Sequence, residues 1–248
     1  MQISIRDQFI EKWNQYFPQA QLPLVFYYSR QLNGAREADK PAGHRCMICD
    51  LNKVRKGTSL AFSRDNIGCG GGLRYTGYEE DMRDDFEFFL SCGKSGIEGE
   101  RYKKNPEIVK EMMDDIPLIP AKDQWLIFKR WDMLTEEDNP DVAVFFATPD
   151  VISGLFMLAN FDFIGQHGVT APFSSGCGAS ILYPFFEKER EKPKSVLGMF
   201  DPSARPCVEP NVMTFSTPVK RLKQMMANMD ESFLITQTWE TMRKRIDK

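Results

Sequence analysis

Histidine is scarce in this chain: His44 and His167 are the only two among 248 residues. That leaves no spaced histidine pair for a zinc site and no evident base beside a nucleophilic thiol. The single C-x-x-C, Cys46-Met47-Ile48-Cys49, has no second copy, so a zinc knuckle is excluded. The preceding Ala42-Gly43-His44-Arg45 is not the strand that a thioredoxin-like motif follows. No Gly-Lys-Ser/Thr follows a glycine run, and the glycine spacing is wrong for a dinucleotide fingerprint. Met1–Gln8 lacks a basic segment followed by an apolar one, so no secretory signal is expected there. The most apolar region, 142–163, is broken by Pro149, Asp150, Asn160 and Asp162 and is too short and polar to span a bilayer. A net charge of −3 gives no electrostatic case for nucleic acid or an anionic membrane. These absences point to a soluble cytoplasmic protein with mostly reduced cysteines, in which a disulfide framework is not expected.

Repeats and low-complexity tracts are also missing, and what remains alternates between strands and helices. Ile5, Phe9, Ile10 and Trp13 place an amphipathic helix over 3–16. Strands are expected at 22–28, 59–63, 124–130, 142–148, 169–173, 195–200 and 212–216. Helices are expected at 46–55, 79–90, 106–113, 151–159, 179–190 and 219–229, with a last helix capped by Asp230. Asn105 before Pro106 is a helix start, and Gly93 suits a helix end. Pro184 would start or kink the helix over 179–190. The succession 142–148, 151–159, 169–173 reads as strand–helix–strand with a right-handed crossover, favouring a parallel pair. The expected architecture is α/β (or α+β): one mixed-sheet domain over 1–248 with flanking helices and a helical C-terminus at 221–248. A boundary at 117–123 has little to support it.

The chemistry-bearing features are two cysteines wrapped in glycine: Gly68-Cys69-Gly70-Gly71-Gly72 and Gly176-Cys177-Gly178. Glycine leaves a neighbouring thiol uncrowded and lets the backbone take positive φ. Cys177 lies between a strand and a helix, where the helix dipole and free amides should lower its pKa. Successive amides at Gly70, Gly71 and Gly72 can form a nest for an anion. Arg205, just beyond a strand, offers a planar fork to a carboxylate or phosphate, against the plainer alternative of a surface pair with Asp201. Within the C-x-x-C, Cys46 is the better candidate, because Cys49 sits inside the helix. Cys92, Cys207 and His167 read as structural or loop residues.

Cys46, the run Gly68–Gly77, Pro172-Phe173 leading into Gly176-Cys177, the stretch Gly198–Pro206, and Pro140-Asp141-Val142 together resemble a bacterial and archaeal family, domain of unknown function 169. The resemblance covers residues 20–220. It implies no established activity, and it supports the choice of residues rather than a reaction.

Three functions follow as expectations. In the first, Cys46, Cys69 and Cys177 converge in a pocket and supply thiolates to an iron–sulfur cluster or another soft metal. Arg205 then orients an anionic small molecule. In the second, Cys177 is the nucleophile of a metal-free thiol enzyme, with the 70–72 amides as oxyanion site. In the third, the chain is a non-catalytic binder of a small anion through Gly70–Gly72 and Arg205. Whether the protein is an enzyme, and in what oligomeric state it works, stay open at this point.

Overall fold

Eight strands form one mixed sheet in a computed structural model that describes residues 4–246: β1 Leu24–Ser29, β2 Arg36–Glu37, β3 Leu60–Phe62, β4 Trp125–Arg130, β5 Val142–Ala147, β6 Val169–Thr170, β7 Ser195–Gly198 and β8 Met213–Pro218. Their order across the sheet is β2-β3-β4-β1-β5-β8-β7-β6. The β2–β3 and β6–β7 pairs at the two edges are parallel and the pairs between them antiparallel. β5 and β6 point the same way, but β8 and β7 lie between them, so the strand–helix–strand unit is a long crossover to the sheet edge and not an adjacent parallel pair.

The period-2 alternation of the strands decides which residues face which layer. Leu24 and Phe26 of β1, with Val142, Val144 and Phe146 of β5, enter one core; Val25, Ala143, Phe145 and Ala147 enter the other. Helices cover both faces, which is why β5 is apolar throughout. The helices are α1 Ile5–Tyr16, α2 Met47–Arg55, α3 Gly70–Tyr75, α4 Phe86–Leu90, α5 Pro106–Asp115, α6 Pro149–Phe161, α7 Tyr183–Glu187, α8 Val219–Asn228 and α9 Gln237–Arg243. α1, α6, α8 and α9 pack on the second face around Trp13, Leu155, Leu222 and Trp239. α2, α3 and α7 pack on the first. The α/β class expected from the sequence is the observed one.

Several boundaries move for physical reasons. Ile3, where α1 was expected to begin, lies outside the described residues, as do Lys248 and Asp247 of the C-terminal segment. The helix expected over 79–90 shrinks to α4, because 79–85 carries five acidic residues and Asp85 adopts φ +60°. Asn105 caps α5 by accepting from the Ile108 amide at 3.1 Å, and Gly93 takes φ +76° after α4. Pro184 leaves its mark upstream: Gly178–Leu182 is a π-helical turn that runs into α7. Asp230 does not cap the last helix; it receives Lys12 and the Tyr16 hydroxyl, and Thr236 caps α9.

Candidate functional site

The site lies on the first face of the sheet, where three helix starts meet. Cys46 is the N-cap of α2 and Cys69 the N-cap of α3; Cys177 stands in the first turn of the helix that leads through the π turn to α7. The first two are held side by side by the residues before them. The Arg45 amide donates to the Gly68 carbonyl at 2.9 Å, and a Cβ on Gly68 would come within 2.9 Å of Arg45 Cβ and Pro41 Cβ. Gly176 is equally hemmed in: a Cβ there would meet Ala204, Ile48 and Met199 at 3.0–3.3 Å. On Gly178 it would strike Ser174 Oγ, and on Gly72 it would approach Cys69 Sγ at 3.0 Å. None of Gly68, Gly70, Gly71, Gly72, Gly176 and Gly178 has positive φ. Gly68, Gly72, Gly176 and Gly178 therefore serve close approach, whereas Gly70 and Gly71 do not, and the expectation of a left-handed backbone beside the thiols is corrected.

The thiol of Cys177 donates to the Cys69 sulfur, and Cys46 is within electrostatic reach of both. The Cys177 hydrogen bond, the amides of Met47 and Gly72 and the charge of nearby His44 bring Cys69 down to about 6, against the burial that opposes ionisation. Cys177 moves the other way. It donates its proton to Cys69 and is buried, and both hold its pKa well above that of a free thiol. The lowered pKa expected at Cys177 thus belongs to Cys69. Burial pushes Cys46 up, although the amides of Ile48 and Cys49 face its sulfur.

Cys49 and Cys207 are joined in a disulfide across 158 residues of sequence, while Cys46, Cys69, Cys92 and Cys177 are free, so most of the cysteines are reduced and one pair is not. The pairing itself was not legible because neither residue has a local signal for it: α2 and the short 3-10 turn Arg205–Cys207 meet only in the fold. The sulfurs of Cys46, Cys49 and Cys207 all lie within 4.8 Å of one another, a spacing that could hold a metal ion. Cys92 is exposed near α4.

The anion-binding residues are placed differently from the thiols. Arg205 donates Nη1 to the Val212 carbonyl and Nη2 to the Pro210 carbonyl, fastening its own loop. Asp201 forms no side-chain pair with it; its carboxylate accepts from the amide and hydroxyl of Ser203 and, at 3.4 Å, from the Gly176 amide. Gly70, Gly71 and Gly72 are the first turn of α3, and the Gly72 amide faces Cys69.

Two residues lie within the runs that carry the family resemblance but have no role assigned from the sequence. Arg74 of α3 is 5% exposed, and its Nε and Nη1 have no hydrogen-bond partner. Its charge is felt by Tyr75, which also feels Cys177. Met199, buried beside Gly176, has φ +67°, uncommon for a side chain of its size. Neither carries a sequence signal, since each is defined by what surrounds it.

Among the described residues no helix is long and apolar enough to cross a membrane. Comparison with curated proteins and with solved structures found no match to the chain. The model of one family, described as DUF169, uncharacterised ArCR, matches residues 22–228, a span that includes Cys46, Cys69, Cys177 and the disulfide. The chain belongs to the DUF169 family.

Proposed function

We propose that the protein binds a soft metal centre, an iron–sulfur cluster above all, through the thiolates of Cys46, Cys69 and Cys177. The observation that carries this reading is that Cys46 and Cys69, the N-caps of α2 and α3, and Cys177, in the first helical turn before α7, stand at three helix starts on one face of the sheet, while the sulfurs within 4.8 Å of Cys46 are those of Cys49 and Cys207. Thiolates are the donors such clusters take. Three protein donors would leave one position open to a substrate or to electron-transfer chemistry. Reduction of the disulfide would add Cys49 and Cys207, both within 4.8 Å of Cys46, to the donors on offer. Arg74 supplies what an anionic ligand beside the centre would require, two buried donors lacking a partner. Arg205 would contribute to such a ligand only by releasing the carbonyls it now holds. The 70–72 amides are proposed to support Cys69 rather than to act as a separate nest.

The test is metal stoichiometry in single variants of protein purified without oxygen. Cys69→Ser and Cys177→Ser should lose most of the bound metal, while Cys92→Ser, away from the group, keeps it. Equal metal content in all three would overturn the assignment.

A metal-free cysteine enzyme is the second reading, and His44 beside Cys69 favours it. The nucleophile would then be Cys69 and not Cys177. A stable adduct at Cys69 that leaves metal binding unaffected would support it over the first.

A further inference from the structure

We propose that Cys46, Cys49 and Cys207 form a thiol–disulfide exchange site, in which the Cys46 thiol enters the Cys49–Cys207 disulfide and releases Cys207. The inference shares Cys46 with the metal reading but rests on the disulfide and its neighbour alone.

Exchange needs a third sulfur in reach of an existing bond and proceeds by direct attack on one of its sulfurs. A third sulfur is close, since all three lie within 4.8 Å of one another, and a turn of the Cys46 side chain is what would bring it in line with the Cys49–Cys207 bond. Cys46 and Cys49 are the N-cap and the third residue of α2. Residues three apart on a helix face each other, so a Cys46–Cys49 bond closes within one turn and needs no movement of the sheet. Cys207, buried at the end of its turn, is the leaving sulfur. It ends a three-residue 3-10 turn, tied to α2 besides the disulfide by the bond from Asn52 Nδ2 to its carbonyl, at 2.5 Å. A groove of about 370 Å³, lined by Asn52, Arg55, Lys56 and Glu209 among others, borders Cys207 and gives the released turn room.

The step balances within the molecule. The Cys46 sulfur, having given up its proton, bonds to Cys49 Sγ. The Cys49–Cys207 bond breaks, its electron pair leaves on Cys207, and Cys207 takes up a proton. One disulfide is lost and one formed, so no oxidant or reductant is consumed. The exposed Cys49 is the sulfur an external dithiol would reach, which makes dithiols the partner class for the two-electron reduction of either state. Exchange also withdraws Cys46 from any metal set, so the two uses of Cys46 exclude each other.

The experiment is disulfide mapping of metal-free wild-type protein held at neutral pH without added oxidant, quenched in acid with N-ethylmaleimide and digested with trypsin. Cleavage gives one peptide, 46–53, that holds both Cys46 and Cys49, and another, 195–220, that holds Cys207. The expected result is two populations. In one the two peptides are cross-linked and Cys46 is blocked. In the other 46–53 carries an internal disulfide and Cys207 is blocked. Only the cross-linked form after a day, far beyond the minutes to hours such rearrangements take, would overturn the proposal. Cys207→Ser protein in a glutathione redox buffer gives a second reading: an internal Cys46–Cys49 bond supports the site, and full blocking of both thiols contradicts it. Failure of the reduced protein to take up metal would sink the metal reading and leave the mapping unaffected.

Discussion

A single proton separates the two thiols that the sequence treats alike. Cys69 and Cys177 have nearly the same glycine surroundings, yet one is the acceptor of the other's hydrogen bond. In metal-free protein, alkylation of Cys69 should therefore rise with pH and be half-maximal near 6, because the thiolate is the reacting form. Cys177→Ala removes the largest stabilising interaction and should shift that midpoint upward toward the ordinary value of 9. Cys177 itself should stay unlabelled across the same range. Rates followed by mass spectrometry at each site check all three. The glycines give a paired test of why they are there. Gly176→Ala forces a methyl against Ala204, Ile48 and Met199 and should cost about 1–3 kcal/mol in urea unfolding. Gly70→Ala meets nothing within 4 Å, and should be neutral or stabilise by up to about 1 kcal/mol.

The elements were largely legible because burial on two faces writes itself into composition. Strands β1, β4 and β5 stand within two residues of their expected bounds, each an apolar run closed by turn residues. What could not be read is whatever depends on a partner far away in sequence. β2 is two exposed residues that become a strand only by pairing with β3. The order β5-β8-β7-β6 is likewise invisible to local periodicity. The candidate cysteines were legible through their glycines, but for a reason that had to be revised from freedom to proximity. One buried pair ties β4 to two loops: Lys129 Nζ donates to Asp138 at 2.8 Å and to the Asn33 carbonyl at 2.6 Å, with both charged side chains buried. Asp138→Ala leaves that ammonium uncompensated. It should destabilise the fold by about 3–5 kcal/mol, read from the shift in denaturant midpoint.

At the scale of the molecule, the disulfide closes a loop that contains most of the sheet. By the chain-entropy argument, a loop of this length makes a cross-link worth about 2–5 kcal/mol. Adding a reductant to metal-free protein should lower its unfolding midpoint accordingly, and a bound metal should offset part of that loss, because a ligand that binds only the folded state stabilises it. The disulfide, Cys46 and the Cys69–Cys177 pair all sit on one face of the sheet, so on the proposed reading redox state and metal occupancy would be two settings of one cysteine cluster. The measurement that tests this most directly is metal and acid-labile sulfide analysis, with a visible spectrum, on reduced protein purified anaerobically without an affinity metal. The expected result is iron with labile sulfide, or a thiolate-bound metal, in stoichiometric amount. Colourless, metal-free protein that resists reconstitution would contradict it.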